Sequence, residues 1–247
     1  MIVTIRKRVV QFLELLGIKK IQLIHFLGFI GFEQYKQPPY GYGAQPIDRK
    51  LQKYLNFRNG FFIELGANNG LHQSNTYYLE RYKKWNGILI EPIPERYQEI
   101  PQWRKRAQTF NCACVAFDYP LSEVEMTFAD LMSVVKGGMH SESEEKKHLE
   151  DAVRVINDVH LYEFKVPART LTSILDECQV QEIDFLSLDV EGYEANVLRG
   201  LNFEKYAPRY MLIEARYREE VEAVINHKYE FVEQITPMDI LYRLKKV

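Results

Sequence analysis

Acidic residues occur at the ends of three short apolar runs of the sequence. Glu64 lies in the run at residues 61–65, and Glu91 and Asp189 directly follow two further runs. In open α/β sheets the carboxyl ends of parallel strands border one crevice, so these carboxylates are predicted to face a ligand site. Carboxylates there can accept hydrogen bonds from hydroxyls, balance a cationic ligand or take up a proton.

A glycine-containing turn follows the first run, in the order Glu64-Leu-Gly-Ala-Asn-Asn-Gly70. Gly66 and Gly70 permit a positive φ and a close ligand approach. The dinucleotide fingerprint needs a third, middle glycine beside a pyrophosphate, but Asn68 stands there. S-adenosylmethionine has no phosphate and carries a cationic amino-acid end, so the pattern favours it as cofactor. The alternative is that both glycines only end a strand and begin a helix.

The second acid has the spacing of a ribose ligand. Glu91 lies about twenty residues after Gly70, where doubly wound folds place an acid that hydrogen-bonds ribose hydroxyls. Pro92 marks the end of the preceding strand, which is the edge where ligands bind. An isolated surface glutamate is the alternative, but the combination favours Glu91 as a cofactor ligand.

The third acid begins the segment Asp189-Val-Glu-Gly-Tyr-Glu194. Asp189 and Glu191 are two positions apart just past a strand, so both can reach the crevice. Either can remove a proton from an alcohol, or the pair can hold a divalent cation that polarises a diol. Alternatively, Glu191 or Glu194 caps the following helix, where the helix dipole favours a carboxylate.

Three further side chains are candidate bases. Glu214 ends the next apolar run, His72 adjoins the glycine turn, and His140 lies in a polar segment. For each histidine taken alone, a bond to backbone or a solvated role is the favoured interpretation. We predict Asp189, with Glu191, as the centre of the chemistry and His140 as an alternative base.

The elements that must position these residues alternate along the chain. Helices are predicted at residues 73–82, 94–103, 171–178 and 194–201, and strands at 61–65, 87–90, 109–115, 124–128, 183–188, 210–215, 229–235 and 240–244. Such alternation predicts an α/β fold with a mostly parallel, seven-stranded sheet. Only four residues, 236–239, join the last two strands, so these form a C-terminal antiparallel hairpin.

Two segments lie outside this alternation. Residues 1–43 are predicted as a helical extension that ends in a segment rich in proline, glycine and tyrosine, and residues 44–247 as the main domain. The helices are expected to pack on the domain, on a second subunit as a homo-oligomer contact, or on a membrane surface. Residues 118–165 form an insertion, and its polar stretch 136–147 has no apolar period, so we expect a mobile lid.

Three motifs of the sequence stand in a characteristic order: Phe62-Ile-Glu-Leu-Gly-Ala-Asn-Asn-Gly70, Leu89-Ile-Glu-Pro92 and Asp184-Phe-Leu-Ser-Leu-Asp-Val-Glu-Gly-Tyr-Glu-Ala-Asn-Val-Leu-Arg-Gly200. In this order they resemble the FkbM-type methyltransferases. The resemblance runs from about residue 44 to the C-terminus, although the family more often has aspartate where this chain has Glu64. It implies a Rossmann-like class I methyltransferase fold, S-adenosylmethionine as methyl donor, and transfer to oxygen on a natural product or sugar.

The motifs and the resemblance together give a set of expected site residues. The expected catalytic residues are Asp189, Glu191 and His140. Asn111, Cys112 and Ala113 are expected at the adenine, although hydrophobic packing explains them about as well. The expected cofactor-binding residues are Glu64, Gly66, Ala67, Asn68, Gly70, Ser74, Asn75, Glu91, Pro92, Asn111, Cys112, Ala113 and Asp189.

Composition excludes several other functions. The net charge is −2 and the sequence has no long basic run, which argues against nucleic acid as a partner. The apolar run at 21–32 is shorter than the roughly 20 residues of a spanning helix. Three cysteines and no signal-peptide pattern predict reduced thiols and a cytoplasmic protein. An inactive binding protein of the same fold and, less favoured, a nucleotide-cofactor oxidoreductase remain as alternatives to a methyltransferase.

Overall fold

The computed structural model describes residues 47–156 and 159–246. The expected helices of the N-terminal extension and its boundary at residue 43 lie outside the described residues, so both stay predictions. No helix within the described ranges is long and apolar enough to cross a membrane.

A seven-stranded sheet forms the centre of the fold. Its first five strands run parallel, and the last two form an antiparallel hairpin that inserts the strand Asp239–Leu244 beside the strand Tyr210–Glu214. This confirms the predicted α/β fold, with a mostly parallel seven-stranded sheet and a C-terminal hairpin. In spatial order the strands are β3 (Ala107–Phe110), β2 (Asn86–Ile90), β1 (Phe61–Leu65), β8 (Phe185–Leu188), β9 (Tyr210–Glu214), β11 (Asp239–Leu244) and β10 (Tyr229–Gln234).

Helices cover both faces of this sheet. Because side chains alternate along a strand, Ile63 and Leu65 of β1 enter one apolar core while Phe62 enters the other. The strand order reverses between β1 and β8, and their carboxyl ends form the crevice in which such folds bind ligands. The helices of the described ranges are α1 (Ile47–Leu51), α2 (Tyr77–Lys83), α3 (Pro94–Trp103), α4 (Glu142–Val155), α5 (Leu171–Glu177), α6 (Glu194–Arg199) and α7 (Arg218–Ile225).

The insertion builds a second, four-stranded sheet. In spatial order its strands are β4 (Ala113–Cys114), β7 (Tyr162–Arg169), β5 (Glu123–Phe128) and β6 (Val134–Val135). Val124, Met126 and Val166 are buried in its own small core. A 3₁₀ turn at Asp130–Met132 and helix α4 complete the insertion.

Three predicted segments differ from the structure by more than a shift of one or two residues at an end. The strand predicted at 109–115 divides into β3 and β4, because Asn111 donates to the carbonyls of Glu91 and Pro92 and the chain changes sheet there. The helix predicted from residue 73 begins only at Tyr77. The stretch 136–147, expected to belong to a mobile lid because it has no apolar period, contains the first turns of α4, whose buried residues, His148 and Ala152, lie beyond it.

Candidate active site

The backbone amides of the glycine turn after β1 are hydrogen-bonded within the protein. Each N–H from residue 66 to residue 72 donates to an acceptor of the protein: Ile90 O, Glu91 Oε2, Asn68 Oδ1, Ala67 O or Asn69 Oδ1. A pyrophosphate is bound by free amides at a helix N-terminus. Here those amides are occupied and α2 begins only at Tyr77, so the turn lacks the donors of a dinucleotide site.

Gly66 lets this turn approach the end of β8. Its φ is +75°, and a Cβ at this position would lie 2.0 Å from the Asp189 carbonyl oxygen. Any larger residue would therefore push the glycine turn away from the acidic turn that follows β8. The close approach brings the two motifs predicted from the sequence into one site.

Glu91 joins the glycine turn to the end of β2. Its Oε2 accepts a 2.6 Å hydrogen bond from the Asn68 N–H, and its Oε1 accepts one of 2.8 Å from the Ile93 N–H. The side chain is 3% exposed, and burial raises the pKa of Glu91 to about 7, while the two backbone hydrogen bonds oppose the shift. Each oxygen has one partner in these bonds and keeps further lone-pair capacity.

Glu64 turns to the opposite side of the glycine turn. Its carboxylate accepts hydrogen bonds from Ser74 Oγ at 2.8 Å, the Asn75 N–H at 2.7 Å and Thr76 Oγ1 at 2.7 Å. Arg104, fully buried, lies 3.4 Å away and also contacts Ser74 and Thr76. Glu64 therefore anchors the segment before α2 instead of facing the crevice.

A solvent-open cleft lies along the carboxyl ends of β1, β2 and β8. The insertion supplies its other wall through Met126, Asp130 and Leu131. The expected site residues that line it are Gly66, Asn68, Glu91, Pro92, Cys112, Ala113, Asp189 and Glu191. The expected residues that do not line it are Glu64, Ala67, Gly70, Ser74, Asn75, Asn111 and His140.

Three carboxylates converge beside this cleft, and two of them, Asp189 and Glu191, line it. Oxygens of Asp189, Glu191 and Glu214 lie within 4.8 Å of one another. Asp189 is exposed, and desolvation by the surrounding residues, followed by the neighbouring Glu214 and Glu191 carboxylates, raises its pKa above the usual range. Burial and Glu214 raise the pKa of Glu191 to about 8, while Arg216 opposes the shift.

Glu194 shapes the turn that presents these acids. Its Oε1 accepts hydrogen bonds from the N–H groups of Val190, at 3.2 Å, and Gly192, at 2.9 Å. These bonds hold Glu191 at φ +55° and Gly192 at φ +99°. Glu194 is 1% exposed, and burial raises its pKa to about 7. Glu194 thus caps the turn before α6, whereas the N-cap residue of the helix itself, Tyr193, makes no side-chain cap hydrogen bond.

His148 and Arg216 contact the acidic turn and were missed by the sequence analysis. Arg216 Nη2 lies 3.1 Å from Glu191 Oε2 and 3.3 Å from His148 Nδ1. His148 is buried on α4. Its signal in the sequence was the spacing of four between His148 and Ala152, which marks the buried side of a helix.

His140 lies at an exposed position away from the cleft lining. Its Nε2 is 2.6 Å from Glu220 Oε1, and its ring stacks on Tyr217 with a centroid separation of 3.6 Å. His72 does line the cleft, and its N–H donates to Asn69 Oδ1. Of the candidate bases, the structure brings Asp189, Glu191 and Glu214 together.

Besides balancing a cationic ligand, this group of three carboxylates can do two kinds of chemistry. Carboxylates with raised pKa values can take a proton from an acceptor, and three convergent carboxylate oxygens can hold a hard divalent cation. In the same cleft, Glu91 offers acceptors for hydroxyl groups, and Cys112 and Ala113 offer apolar contacts.

Comparison with protein families gives one match. The family described as the methyltransferase FkbM domain matches residues 64–236, which is more than half of the chain. A comparison with curated proteins gives no match.

Solved structures similar to this one include three methyltransferases. The FkbM methyltransferase from Methylobacillus flagellatus KT is 12% identical with a TM-score of 0.46, and the alignment covers 92% of this chain and 54% of that one. This chain therefore spans about half the length of that relative. An RNA methyltransferase from Salinibacter ruber, in complex with S-adenosyl-L-homocysteine, is 11% identical with a TM-score of 0.39 and coverages of 82% and 91%. A TehB-like SAM-dependent methyltransferase from Corynebacterium glutamicum is 11% identical with a TM-score of 0.40 and coverages of 91% and 96%.

Proposed function

The chain belongs to the methyltransferase FkbM family, and from this premise we propose that it transfers the methyl group of S-adenosylmethionine to a hydroxyl oxygen of a small molecule, sugar or natural product. The observation that carries the proposal is the pairing of two acidic positions in one cleft. Glu91 and Asp189 both line this cleft, and Glu214 lies beside Asp189.

The donors and acceptors of the cleft suit a cofactor without phosphates. The amides of residues 66–72 are already bonded, whereas Glu91 keeps acceptor capacity for ribose hydroxyls. Asp189 offers negative charge for a cationic ligand. This distribution favours S-adenosylmethionine over a nicotinamide dinucleotide, the cofactor of the competing oxidoreductase interpretation.

The expected cofactor residues take two roles under this proposal. Gly66, Asn68, Glu91 and Pro92 contact the cofactor along the turn and the end of β2, and Cys112 and Ala113 contact the adenine. Under this proposal Glu64, Ser74 and Asn75 do not contact the cofactor; they fix the segment that follows the turn through hydrogen bonds to one another. Ala67, Gly70 and Asn111 support the turn and the end of β2 through their backbone or amide groups.

Asp189 serves as the general base in this proposal. When bound, the cofactor would supply an electrophilic methyl group; in-line attack by the acceptor oxygen would form the O–CH3 bond as the S–CH3 bond breaks, with S-adenosylhomocysteine as the leaving group. Asp189 accepts the proton of that hydroxyl, and its raised pKa makes it a stronger base than an ordinary aspartate. Glu214 beside it shares the proton, and Glu191 borders the acceptor. The insertion covers the acceptor side, which limits water in the cleft.

The reaction is tested with methyl-labelled S-adenosylmethionine and a panel of hydroxylated sugars and natural products. We expect label in an acceptor and an O-methyl signal in the NMR spectrum of the product. Label on nitrogen or carbon would contradict the hydroxyl assignment. Cofactor binding without transfer to any member of a broad panel would favour the inactive binding protein.

The same assay separates a base from a metal site. If Asp189 acts as a base without a cation, turnover persists after treatment with a chelator. If turnover is lost and returns with Mg²⁺ or Mn²⁺, the three carboxylates act as metal ligands and the base assignment is wrong.

A further inference from the structure

A buried histidine lies where the insertion meets the acidic turn, and the proposed methyl transfer does not use it. His148 on α4 is 5% exposed. Its Nε2 lies 2.9 Å from the Met132 carbonyl oxygen and 3.7 Å from Glu191 Oε2, and its Nδ1 lies 3.3 Å from Arg216 Nη2. One ring thus contacts three segments that are distant in the sequence.

The hydrogen-bond network assigns the proton of this ring. An arginine nitrogen can only donate, so Nδ1 accepts from Arg216 and Nε2 carries the hydrogen that the Met132 carbonyl accepts. Burial and the Arg216 guanidinium lower the pKa of His148, although the bond to Met132 opposes the shift. The neutral ring therefore acts as donor on one side and acceptor on the other.

Both partners of the ring adjoin residues that line the cleft. Arg216 Nη2 also donates to Glu191 Oε2 at 3.1 Å, so the histidine orients the guanidinium that holds this carboxylate. Met132 ends the 3₁₀ turn whose first two residues, Asp130 and Leu131, line the cleft. Glu191 itself has φ +55°, a conformation that non-glycine residues adopt at a cost and that contacts around it must maintain.

We propose that His148 is a positioning residue of the cleft: by bonding Arg216 and the Met132 carbonyl at once, it fixes Glu191 relative to the insertion wall. That the acceptor lies beside this wall rests on the proposed function, whereas the contacts that fix the two segments do not depend on it.

Hydrogen exchange of the full chain without ligand tests the contacts directly. His148→Leu should raise the exchange rates of residues 130–135 and 190–193 by up to about tenfold, the effect of one lost hydrogen bond on a local opening equilibrium, and leave β1 and β2 protected. His148→Gln keeps a donor and an acceptor and should restore much of the protection. His160→Gln, an exposed histidine of the same insertion, serves as the matched control.

Two results would overturn the proposal. One is that residues 190–193 of the His148→Leu variant exchange at the wild-type rate. His148 would then serve only the local packing of α4. The other is a folded His148→Gln variant that exchanges as fast as His148→Leu, since polar contacts would then be irrelevant.

Kinetics on an acceptor from the labelled-methyl assay separate positioning from a general folding defect. His148→Leu should lower kcat or raise the KM for the acceptor, and leave the KM for S-adenosylmethionine within about twofold, because the cofactor contacts lie on β1 and β2. An equal rise in the KM values for S-adenosylmethionine and for the acceptor would contradict the proposal. If the wild type binds no S-adenosylmethionine, the proposed function fails, whereas the exchange experiment still decides the role of His148.

Discussion

Glu91 accepts a 2.6 Å hydrogen bond from the Asn68 N–H, which joins the end of β2 to the glycine turn after β1. Asn68 is the residue that replaces the middle glycine of a dinucleotide fingerprint. Its backbone amide, which would bind a phosphate in that fingerprint, is bonded to a carboxylate here. One contact therefore closes the phosphate site and places an acid beside the cleft.

Removing the Glu91 charge should weaken cofactor binding. We expect Glu91→Gln to raise the Kd for S-adenosylhomocysteine about 10- to 100-fold, the range for lost hydrogen bonds to a charged group. Isothermal titration calorimetry measures this, with Glu95→Gln, an exposed acid on α3, as the control. Unchanged affinity in Glu91→Gln would remove this residue from the cofactor site.

Asp189→Asn should separate binding from chemistry. The amide keeps the size of the side chain but cannot take up the acceptor proton, so turnover should fall about 10²- to 10⁴-fold. The Kd for S-adenosylhomocysteine should change far less than turnover, because the amide oxygen can still accept a hydrogen bond from the ammonium group of this product. Glu219→Gln on the exposed start of α7 controls for the lost negative charge. Full turnover in Asp189→Asn would reject the base assignment.

Glu214→Gln should move the pH profile. The Glu214 carboxylate is one cause of the raised Asp189 pKa, after burial, so its removal lowers that pKa. The acidic limb of the kcat/KM profile should then shift to lower pH, because Asp189 becomes ionised earlier in a titration from acid. A shift to higher pH, or none, would show that Glu214 does not control the base.

Glu194 should make the stability of the protein depend on pH. Its pKa is about 7 in the fold against an ordinary value of 4.5, so the folded state binds the proton more tightly. Its contribution is therefore greatest below pH 4.5 and is lost as the pH rises towards about 7, at up to about 1.4 kcal/mol per pH unit.

Urea unfolding of wild type and Glu194→Gln at several pH values in this window measures the effect. Gln keeps an oxygen that accepts from the Val190 and Gly192 N–H groups, so the variant should gain stability relative to wild type as the pH rises. Parallel pH dependences for the two proteins would contradict the raised pKa.

The sequence predicted the central sheet well because its strands are short, apolar and end in glycine, proline or acid. These local signals located the motifs at Gly66, Glu91 and Asp189, and parallel topology then brought them to one cleft. The direction of a side chain was harder to predict. Glu64 and Glu91 both lie near strand ends, yet Glu64 turns to Ser74 and Arg104, and only the tertiary structure decides this.

The insertion was predicted least well. Its helix α4 buries only His148 and Ala152, so its apolar period is too weak to mark it in the sequence. The contacts of His148 with Met132 and Arg216 span 16 and 68 positions, a distance over which periodicity carries no information. His140, the histidine chosen from the sequence, instead pairs with Glu220 at the surface.

Calorimetric titration of the wild-type chain with S-adenosylhomocysteine, and in parallel with NAD, tests the proposed cofactor most directly. We expect saturable binding of S-adenosylhomocysteine at one site and no binding of NAD, because the turn offers Glu91 for ribose but no free amides for a pyrophosphate. Binding of NAD with no binding of S-adenosylhomocysteine would contradict the proposed methyl transfer.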